Sequence, residues 1–335
     1  MNVQMLPNDG RHPRAKLVAS RVLIVLGVLG VGALGLLFPF PWDGRIWAEL
    51  FNLAHAPAFC IVLLVVVGVQ DPAAVGLGNW FQPVRHVTIS NLLFTALFLV
   101  ILGVAGEIGQ GLVGRSSSLG DVLANTLGLL AACFFVLAMK SPGSKRSAPL
   151  AASVLVLIAS SWSPLATIVD SLIQRQQMPL LSSLERDREI EIWHGLNSRL
   201  ERTSIWSTDG DHCLMVTLRR ARFSGATLVW PIPDWSEYRQ FSFDIRNPGR
   251  VSQQITLKIQ DELHKRSGFD PDDRFQKSFT VPAESELHIA IRLDEVSSLK
   301  NDRVMDLSAI HRVEWFTGQP EENSILLIDN VRLED

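Results

Sequence analysis

The sequence predicts two unlike domains: an all-α domain that crosses a membrane several times, followed by an all-β sandwich. Two observations support this prediction. Residues 1–172 contain only seven acidic and ten basic side chains, whereas residues 173–335 contain 27 acidic and 21 basic ones. Long apolar stretches are confined to the first part, and short runs that alternate apolar with polar residues fill the second. The first part therefore has the composition of a membrane protein, and the second that of a water-exposed domain.

Five apolar stretches in the first part are long enough, or nearly so, to span a bilayer, which takes about 20 residues. The predicted spans are residues 22–40, 51–70, 87–106, 121–139 and 148–170. The first span follows a basic N-terminal segment, residues 1–21, but it is too long for the core of a signal peptide and no cleavage site follows it. We therefore expect a retained anchor and a transmembrane domain that covers residues 22–172.

The distribution of Lys and Arg around the spans predicts their orientation, because cytoplasmic loops carry the basic excess. Basic residues precede the first span and fill the loops after the second and fourth spans: Arg11, Arg14, Lys16, Arg21, Arg85, Lys140, Lys145 and Arg146. We therefore expect a cytoplasmic N-terminus in the cytoplasmic membrane. With five crossings, the chain after Asp170 lies on the extracytoplasmic side.

A polar segment, "EIGQGLVGRSSSLGDVLAN" (residues 107–125), lies between the third and fourth spans. On helices, its side chains form one-sided stripes at spacings of three and four residues. The candidate residues are Glu107, Gln110, Arg115, Ser118, Asp121 and Asn125, and His55 lies at the same predicted depth. In a structural interpretation, Gly128 and Asn125 pack helices together, a serine caps a helix, and Arg115 forms an ion pair. In a functional interpretation, these intramembrane ionisable groups form a site. The sequence leaves both open.

The spacing Glu-x-x-Gln-x4-Arg-x-x-Ser-x-x-Asp-x3-Asn-x-x-Gly, with a histidine in "FNLAHAPAF", resembles the VanZ-like family of small bacterial membrane proteins over about residues 20–140. The resemblance implies a bacterial inner-membrane protein with a link to glycopeptide (teicoplanin-type) resistance or to envelope and exopolysaccharide processes. Family members often carry a charged residue shortly before the histidine, where this chain has Asn52.

The residue pattern of the second part of the chain, residues 173–335, predicts β structure. Residues 173–200 mix charged and apolar side chains and favour an amphipathic connector helix, part of which could be the first strand. From about Glu201 onwards, roughly eight runs with a period of two are separated by turn residues. Residues 201–335 therefore predict a β-sandwich or jelly roll outside the membrane.

The segments "PDWSEYRQFSFDIRNP" and "LLIDNVRLED" resemble galactose-binding-like sandwiches, including carbohydrate-binding modules. That resemblance implies a glycan stacked on exposed aromatic rings, for which Trp230, Trp235 and Tyr238 are the main candidates and Trp206 and Trp315 further ones. Strand-borne aromatics more often fill the core. In such folds Asp329 could bind a structural calcium ion, although one carboxylate is weak evidence. No other cofactor is predicted.

These features favour a non-enzymatic envelope protein that presents a glycan-binding domain outside the membrane. We expect membrane lipids and a glycan as partners, and no nucleic acid. The soluble part has no Ser-His-Asp order, P-loop, dinucleotide fingerprint or zinc-helix motif. The alternative is a membrane-embedded enzyme acting on a lipid-linked or acyl substrate, with Glu107, Asp121 or His55 as acid and base and Arg115 binding an anionic head group. Transport is the least favoured hypothesis, because no inverted repeat is visible.

Overall fold

The computed structural model describes residues 44–70, 84, 86–112, 118–268 and 270–335, together with four helical positions near the N-terminus, Leu23, Leu26, Gly27 and Gly30. The chain divides into two compact units, Met1–Ile168 and Val169–Asp335. We call them the membrane unit and the sandwich unit.

Four helices are long and apolar enough to cross a membrane. They are α1 (Arg45–Gln70), α2 (Ile89–Leu112), α3 (Leu119–Lys140) and α4 (Ser147–Gln176), with a short 3₁₀ turn at Gly143–Arg146 before α4. These helices confirm the second to fifth predicted apolar helices, although each extends beyond its predicted bounds. The first predicted span, residues 22–40, lies outside the described residues apart from the four positions named above.

Helix α3 begins where the local sequence favours a helix start. The Ser118 side chain accepts a hydrogen bond from the Gly120 N–H at 3.0 Å, and so satisfies one of the free amides of the first turn. Asp121 lies in that turn and Lys140 in the last one, so both charges complement the helix dipole. The prediction of a serine cap is therefore confirmed at Ser118.

Small residues allow α1 and α3 to pack closely. A Cβ atom on Gly128 of α3 would lie 2.8 Å from the carbonyl carbon of Ala56 in α1, so only glycine fits this contact. Leu63 and Val67 of α1 are fully buried beside Val136 of α3. Large apolar side chains of α2, such as Phe94, point outward, as is expected of a surface that contacts lipid.

The sandwich unit contains eleven strands among its described residues. They are β1 (Leu180–Ser182), β2 (Trp193–Leu196), β3 (Ser198–Thr203), β4 (Cys213–Leu218), β5 (Phe223–Leu228), β6 (Gln240–Asn247), β7 (Gln253–Asp261), β8 (Phe275–Val281), β9 (Ser285–Arg292), β10 (Ile310–Gly318) and β11 (Ile325–Glu334). Short helices α5 (Glu262–Arg266) and α6 (Leu293–Ser297) follow β7 and β9. Every strand pair within the two sheets is antiparallel.

The strands form two sheets. Sheet A has the order β3-β4-β11-β6-β9, with β1 also paired to β11, and sheet B has the order β2-β5-β10-β7-β8. The predicted antiparallel β-sandwich is therefore confirmed. The predicted amphipathic connector helix over residues 173–200 is wrong, because α4 ends at Gln176 and is followed by β1, a 3₁₀ helix (Asp187–Ile192), β2 and the first half of β3. The alternative that this segment holds the first strand is the correct one.

Aromatic side chains form the centre of the core between the two sheets. Trp235 stacks on Phe241 with ring centroids 5.1 Å apart and planes 9° apart, and Phe243 meets Trp315 edge to face at 5.5 Å. Trp193 lies 5.2 Å from Trp315. Such rings bury large apolar areas, so they supply much of the driving force for folding.

A buried ion-pair network closes one end of sheet B. Arg303 donates from Nη1 and Nη2 to the two carboxylate oxygens of Asp261, at 2.6 and 3.0 Å, and its Nε donates to Asp273. Burial alone would raise the pKa of Asp261, but hydrogen bonds from Arg303 and from the Asp306 and His264 amides outweigh it and lower that pKa. The pKa of Asp273 is likewise lowered against the effect of burial. The network therefore holds two charged carboxylates inside the fold.

Candidate functional site

The outer face of sheet B carries the side chains that strand alternation directs away from the core. In the central strand β10, Val313 and Trp315 point into the core. Glu314 and Phe316 therefore point outward, and they lie opposite Lys258 and Thr256 of β7. On the other side Phe316 lies opposite Gly225 of β5.

Two aromatic rings of this face meet where β5 begins and β10 ends. Phe223 of β5 and Phe316 of β10 meet edge to face, with centroids 5.4 Å apart and planes at 85°. The Phe223 side chain is 42% exposed. Gly225 leaves room for the Phe316 ring, since a Cβ atom there would lie 2.9 Å from the Phe316 Cβ. We call Phe223 and Phe316 the aromatic pair.

Charged groups flank the aromatic pair on the β7 side. Lys258 forms an ion pair with Glu314, and its Nζ lies 5.9 Å from the centroid of the Phe316 ring. Arg312 lies 3.8 Å from the same carboxylate. Burial lowers the pKa of Lys258, although Glu314 opposes that shift. An apolar platform with a few fixed polar groups beside it is the usual make-up of a small-ligand site.

The outer face of sheet A, by contrast, is partly covered by residues 204–212 of its own chain. Trp206 in this segment is 9% exposed, packs on Leu327 and donates from Nε1 to Glu286 at 2.9 Å. The Asp209 carboxylate binds Arg332 at 2.8 Å. These contacts hold the segment over the sheet, so Trp206 is not available as an exposed platform.

Beneath that segment lie two buried carboxylates, Asp244 and Asp329. The Thr208 hydroxyl donates to Asp244 at 2.5 Å, and the Thr208 and Asp209 amides donate to Asp329 at 2.6 and 3.1 Å. His288 Nδ1 lies 2.7 Å from Asp244. Burial raises the pKa of Asp329 despite those amide bonds. For Asp244, burial is outweighed by hydrogen bonds from Thr208, Asn330 and His288, which lower its pKa.

The calcium site predicted at Asp329 stays a prediction. Asp329 Oδ2 already accepts amide hydrogens, which a cation would have to displace. In the part of the chain that the structure describes, no three His, Cys, Asp or Glu side chains are grouped so that they could hold a metal ion. The oxygen atoms around Asp329 therefore do not favour calcium, which binds six or more oxygen ligands.

The aromatic side chains predicted to bind a glycan are buried or half-buried. Trp235 is 0% exposed, stacks on Phe241 and donates from Nε1 to the Ile232 carbonyl, so it offers no face to a ligand. Trp315 is also in the core. Trp230 and Tyr238 are half-buried and pack against the core, so each exposes only part of its surface.

The aromatic pair was not among the sequence-predicted candidates, although the sequence carries a signal for it. In "HRVEWF" the adjacent Trp315 and Phe316 must point to opposite faces of a strand. One of them therefore has to leave the core. In "RFSGATL" a glycine two residues after Phe223 marks a place where a neighbouring ring can lie over the backbone.

In the membrane unit, the structure shows two separate contacts among the residues of the predicted polar cluster. His55 Nδ1 of α1 lies 2.9 Å from Asn125 Oδ1 of α3, so these two helices share a polar contact next to Gly128. Glu107 near the end of α2 accepts a hydrogen bond from the Ser118 amide at 3.3 Å. Glu107, Gln110 and Asn125 are nearly fully buried.

The two remaining members of that cluster are Asp121 and Arg115. Asp121 is half-buried in the first turn of α3. Arg115 lies outside the described residues, so its predicted ion pair with Glu107 or Asp121 stays a prediction. The described residues thus provide a buried carboxylate, two buried amides and a half-buried imidazole on three helices.

No protein-family model matches the chain, and no curated protein matches it. Among solved structures, the sandwich unit is similar to a family 11 carbohydrate-binding module of Clostridium thermocellum, at 17% identity and a TM-score of 0.35, over 46% of this chain and 94% of the module. It is also similar to a xylan-binding domain of family 22, at 15% identity and a TM-score of 0.31, over 46% of this chain and 91% of that domain. An exo-beta-agarase matches at 22% identity and a TM-score of 0.37, over 46% of this chain and 24% of the agarase, so this chain spans about a quarter of that enzyme.

Proposed function

We propose that the chain is an integral membrane protein of the bacterial cell envelope that binds a glycan on the outer face of sheet B. The observation that carries this proposal is the aromatic pair, which lies on that face beside the Lys258–Glu314 ion pair. The apolar C–H faces of a sugar ring pack on aromatic rings, and its hydroxyls hydrogen-bond to fixed charged groups. Lys258 can donate to a hydroxyl, and Glu314 can accept from one.

The remaining parts of the proposal rest on sequence. Four apolar helices precede the sandwich unit, and the distribution of basic residues favours an N-terminus in the cytoplasm and a sandwich unit in the periplasm. The VanZ-like spacing of the polar cluster supports a role in envelope or exopolysaccharide processes, or in teicoplanin-type resistance.

Replacing Phe316 with Ala is expected to weaken glycan retention by about tenfold or more, because burial of one such ring contributes ~1.5–3 kcal/mol. The full chain, purified in a neutral detergent, would be run through gels that contain one polysaccharide each from a broad panel of plant, algal and bacterial glycans. Phe223→Ala should have a smaller effect in the same direction, and Phe316→Tyr, which keeps the ring, should retain binding.

Ile205→Ala is the matched control, since Ile205 is an exposed apolar side chain of the segment that covers sheet A. It should leave retention unchanged. Equal retention of the wild-type chain and Phe316→Ala would place the glycan elsewhere. No retention of the wild-type chain by any glycan of the panel would count against glycan binding altogether.

A second function is favoured by the buried polar groups of the membrane unit. The Glu107 carboxylate is nearly fully buried and the half-buried His55 imidazole contacts Asn125, and ionisable groups within membrane spans are candidates for function. Such a pair could serve as acid and base on a lipid-linked or acyl envelope substrate.

For this second function, Glu107→Gln and Asp121→Asn are expected to abolish teicoplanin tolerance in a bacterial host that expresses the chain, while membrane levels of the protein stay unchanged. Both substitutions keep the size of the side chain and remove its charge. Glu237→Gln, at an exposed turn of the sandwich unit, is the control. Full teicoplanin tolerance in both variants would mean that the cluster only packs the helices together and has no catalytic role.

A further inference from the structure

The turn between α3 and α4 encloses a basic cavity of about 410 Å³. Its lining residues are Met139, Lys140, Ser141, Pro142, Gly143 and Arg146. That volume lies within the range of about 300–1,000 Å³ that is usual for small-ligand sites. We call it the turn cavity.

The positive charge of the turn cavity is not balanced along its own two helices. Three basic residues, Lys140, Lys145 and Arg146, lie within seven positions, and no acidic residue occurs between Asp121 and Asp170. At 1.5 Å per residue, Asp121 lies about 29 Å from Lys140 along α3, and Asp170 about 36 Å from Arg146 along α4. Beyond roughly 10 Å, charges are largely screened.

The described parts of the neighbouring helices supply no carboxylate at this turn, and Asp71, which follows Gln70 in the sequence, lies outside the described residues. Lys140 Nζ donates to the Val87 carbonyl at 2.6 Å, which places the start of α2 beside the turn cavity. Gln70 ends α1 and donates to Thr95 of α2, so this end of α1 lies close by. Residues 84 and 86–91, the described residues before and at the start of α2, contain no Asp or Glu.

The guanidinium of Arg146 lacks a strong acceptor among the described residues. Among the described residues it donates a hydrogen bond only to the thioether sulfur of Met139, which is a weak acceptor. A guanidinium is built to bind two oxygens of a phosphate or carboxylate at once. Arg146 thus offers N–H donors that no oxygen of the described residues accepts.

The position of the turn cavity indicates which kind of anion binds there. Helix α3 has 22 residues and so spans about 33 Å, close to the thickness of a bilayer core. The turn that follows it therefore lies at the level of the lipid head groups. Basic clusters directly beside a membrane span bind anionic head groups.

We propose that the turn cavity binds the phosphate group of an anionic membrane lipid, with Arg146 as its main ligand and Lys145 and Lys140 supplying further positive charge. The lipid would be held between the ends of α3 and α4, with its phosphate in the cavity and its acyl chains along the apolar helices. This site is separate from the glycan face and from the polar cluster around Glu107.

The full chain would be placed in bilayer nanodiscs of phosphatidylcholine that contain a small fraction of phosphatidylglycerol. Native mass spectrometry would then count the lipids that stay bound to the protein when it is released from the nanodisc. Wild-type protein should retain phosphatidylglycerol in preference to phosphatidylcholine. Arg146→Gln should lower that retention about fivefold, the size expected for one basic residue at an anionic surface. Arg146→Lys keeps the charge and should retain most of the binding. Retained binding in this variant would show that a substitution at this position does not prevent folding.

Arg250→Gln, at an exposed turn of the sandwich unit, is the matched control and should leave retention unchanged. Equal retention by wild-type and Arg146→Gln protein, or no preference over phosphatidylcholine, would overturn the proposal. Inorganic phosphate and glycerol phosphate form a separate arm. If either displaces phosphatidylglycerol at low millimolar concentration, the ligand is a soluble phosphate and the assignment to a lipid is overturned.

Discussion

Replacing Arg303 with Met is expected to lower the free energy of unfolding of the sandwich unit by about 3–5 kcal/mol, because it leaves two buried carboxylates without their cation. Arg303 makes two hydrogen bonds to Asp261, which is fully buried, and one to Asp273, which is nearly so. Met has a similar length, so little packing is lost. The measurement is guanidinium unfolding of the full chain in detergent, followed by tryptophan fluorescence, because Trp235 and Trp315 report on the sandwich core.

Arg250→Met is the matched control, since Arg250 is an exposed arginine in the turn before β7. Its effect should stay within about 0.5 kcal/mol, as is usual for surface substitutions. A loss below about 1 kcal/mol in Arg303→Met would mean that water or other side chains replace the guanidinium.

The same network predicts how stability depends on pH. The pKa values of Asp261 and Asp273 are lower in the folded chain than the ordinary value of about 3.9. Folding is therefore favoured by both carboxylates above about pH 4, and this contribution is lost as pH falls through their folded pKa values. In Arg303→Met the carboxylates lose the cation that keeps them charged. The difference in stability between wild-type and variant chains should therefore shrink below pH 4.

The sequence predicts the elements of this protein better than the pairing of its side chains. The four described apolar helices and the period of two in the second part follow from local patterns, because each pattern is the direct result of helix or strand geometry. The connector was mispredicted because a mixture of charged and apolar residues at 173–200 also fits short strands. There the two sheets, rather than local amphipathicity, determine the structure.

The site was harder to predict for a different reason. Trp235 is in a turn-like segment, "PDWSEY", which suggested exposure, yet its ring is stacked on Phe241 in the core. Which ring of a strand faces outward depends on which face of the sheet is covered, and that is a property of the whole fold. Phe316 could be placed outward only once Trp315 was known to lie inside.

The close contact between α1 and α3 gives the second large prediction. Gly128→Ala is expected to destabilise the membrane unit by about 1–3 kcal/mol, the usual cost of overpacking a well-packed core. The new methyl group would meet the backbone of Ala56, with its carbonyl carbon at 2.8 Å and its Cα at 2.9 Å. A backbone cannot rotate away as a side chain can, so the helices themselves have to separate. The His55–Asn125 hydrogen bond, which joins the same two helices, should then be weakened too.

Gly68→Ala is the matched control, because Gly68 lies in α1 and a Cβ atom there would meet nothing within 4 Å. By helix propensity alone that change should be neutral or stabilising by up to about 1 kcal/mol. Thermal unfolding in detergent measures both effects, and Cys60, buried four residues after Ala56, reports on helix separation. Its labelling by a maleimide, followed by mass spectrometry, should be faster in Gly128→Ala than in Gly68→Ala. Equal labelling and equal melting temperatures would mean that α1 and α3 do not pack through Gly128, and the polar cluster would then lose the helix contact that positions His55 against Asn125.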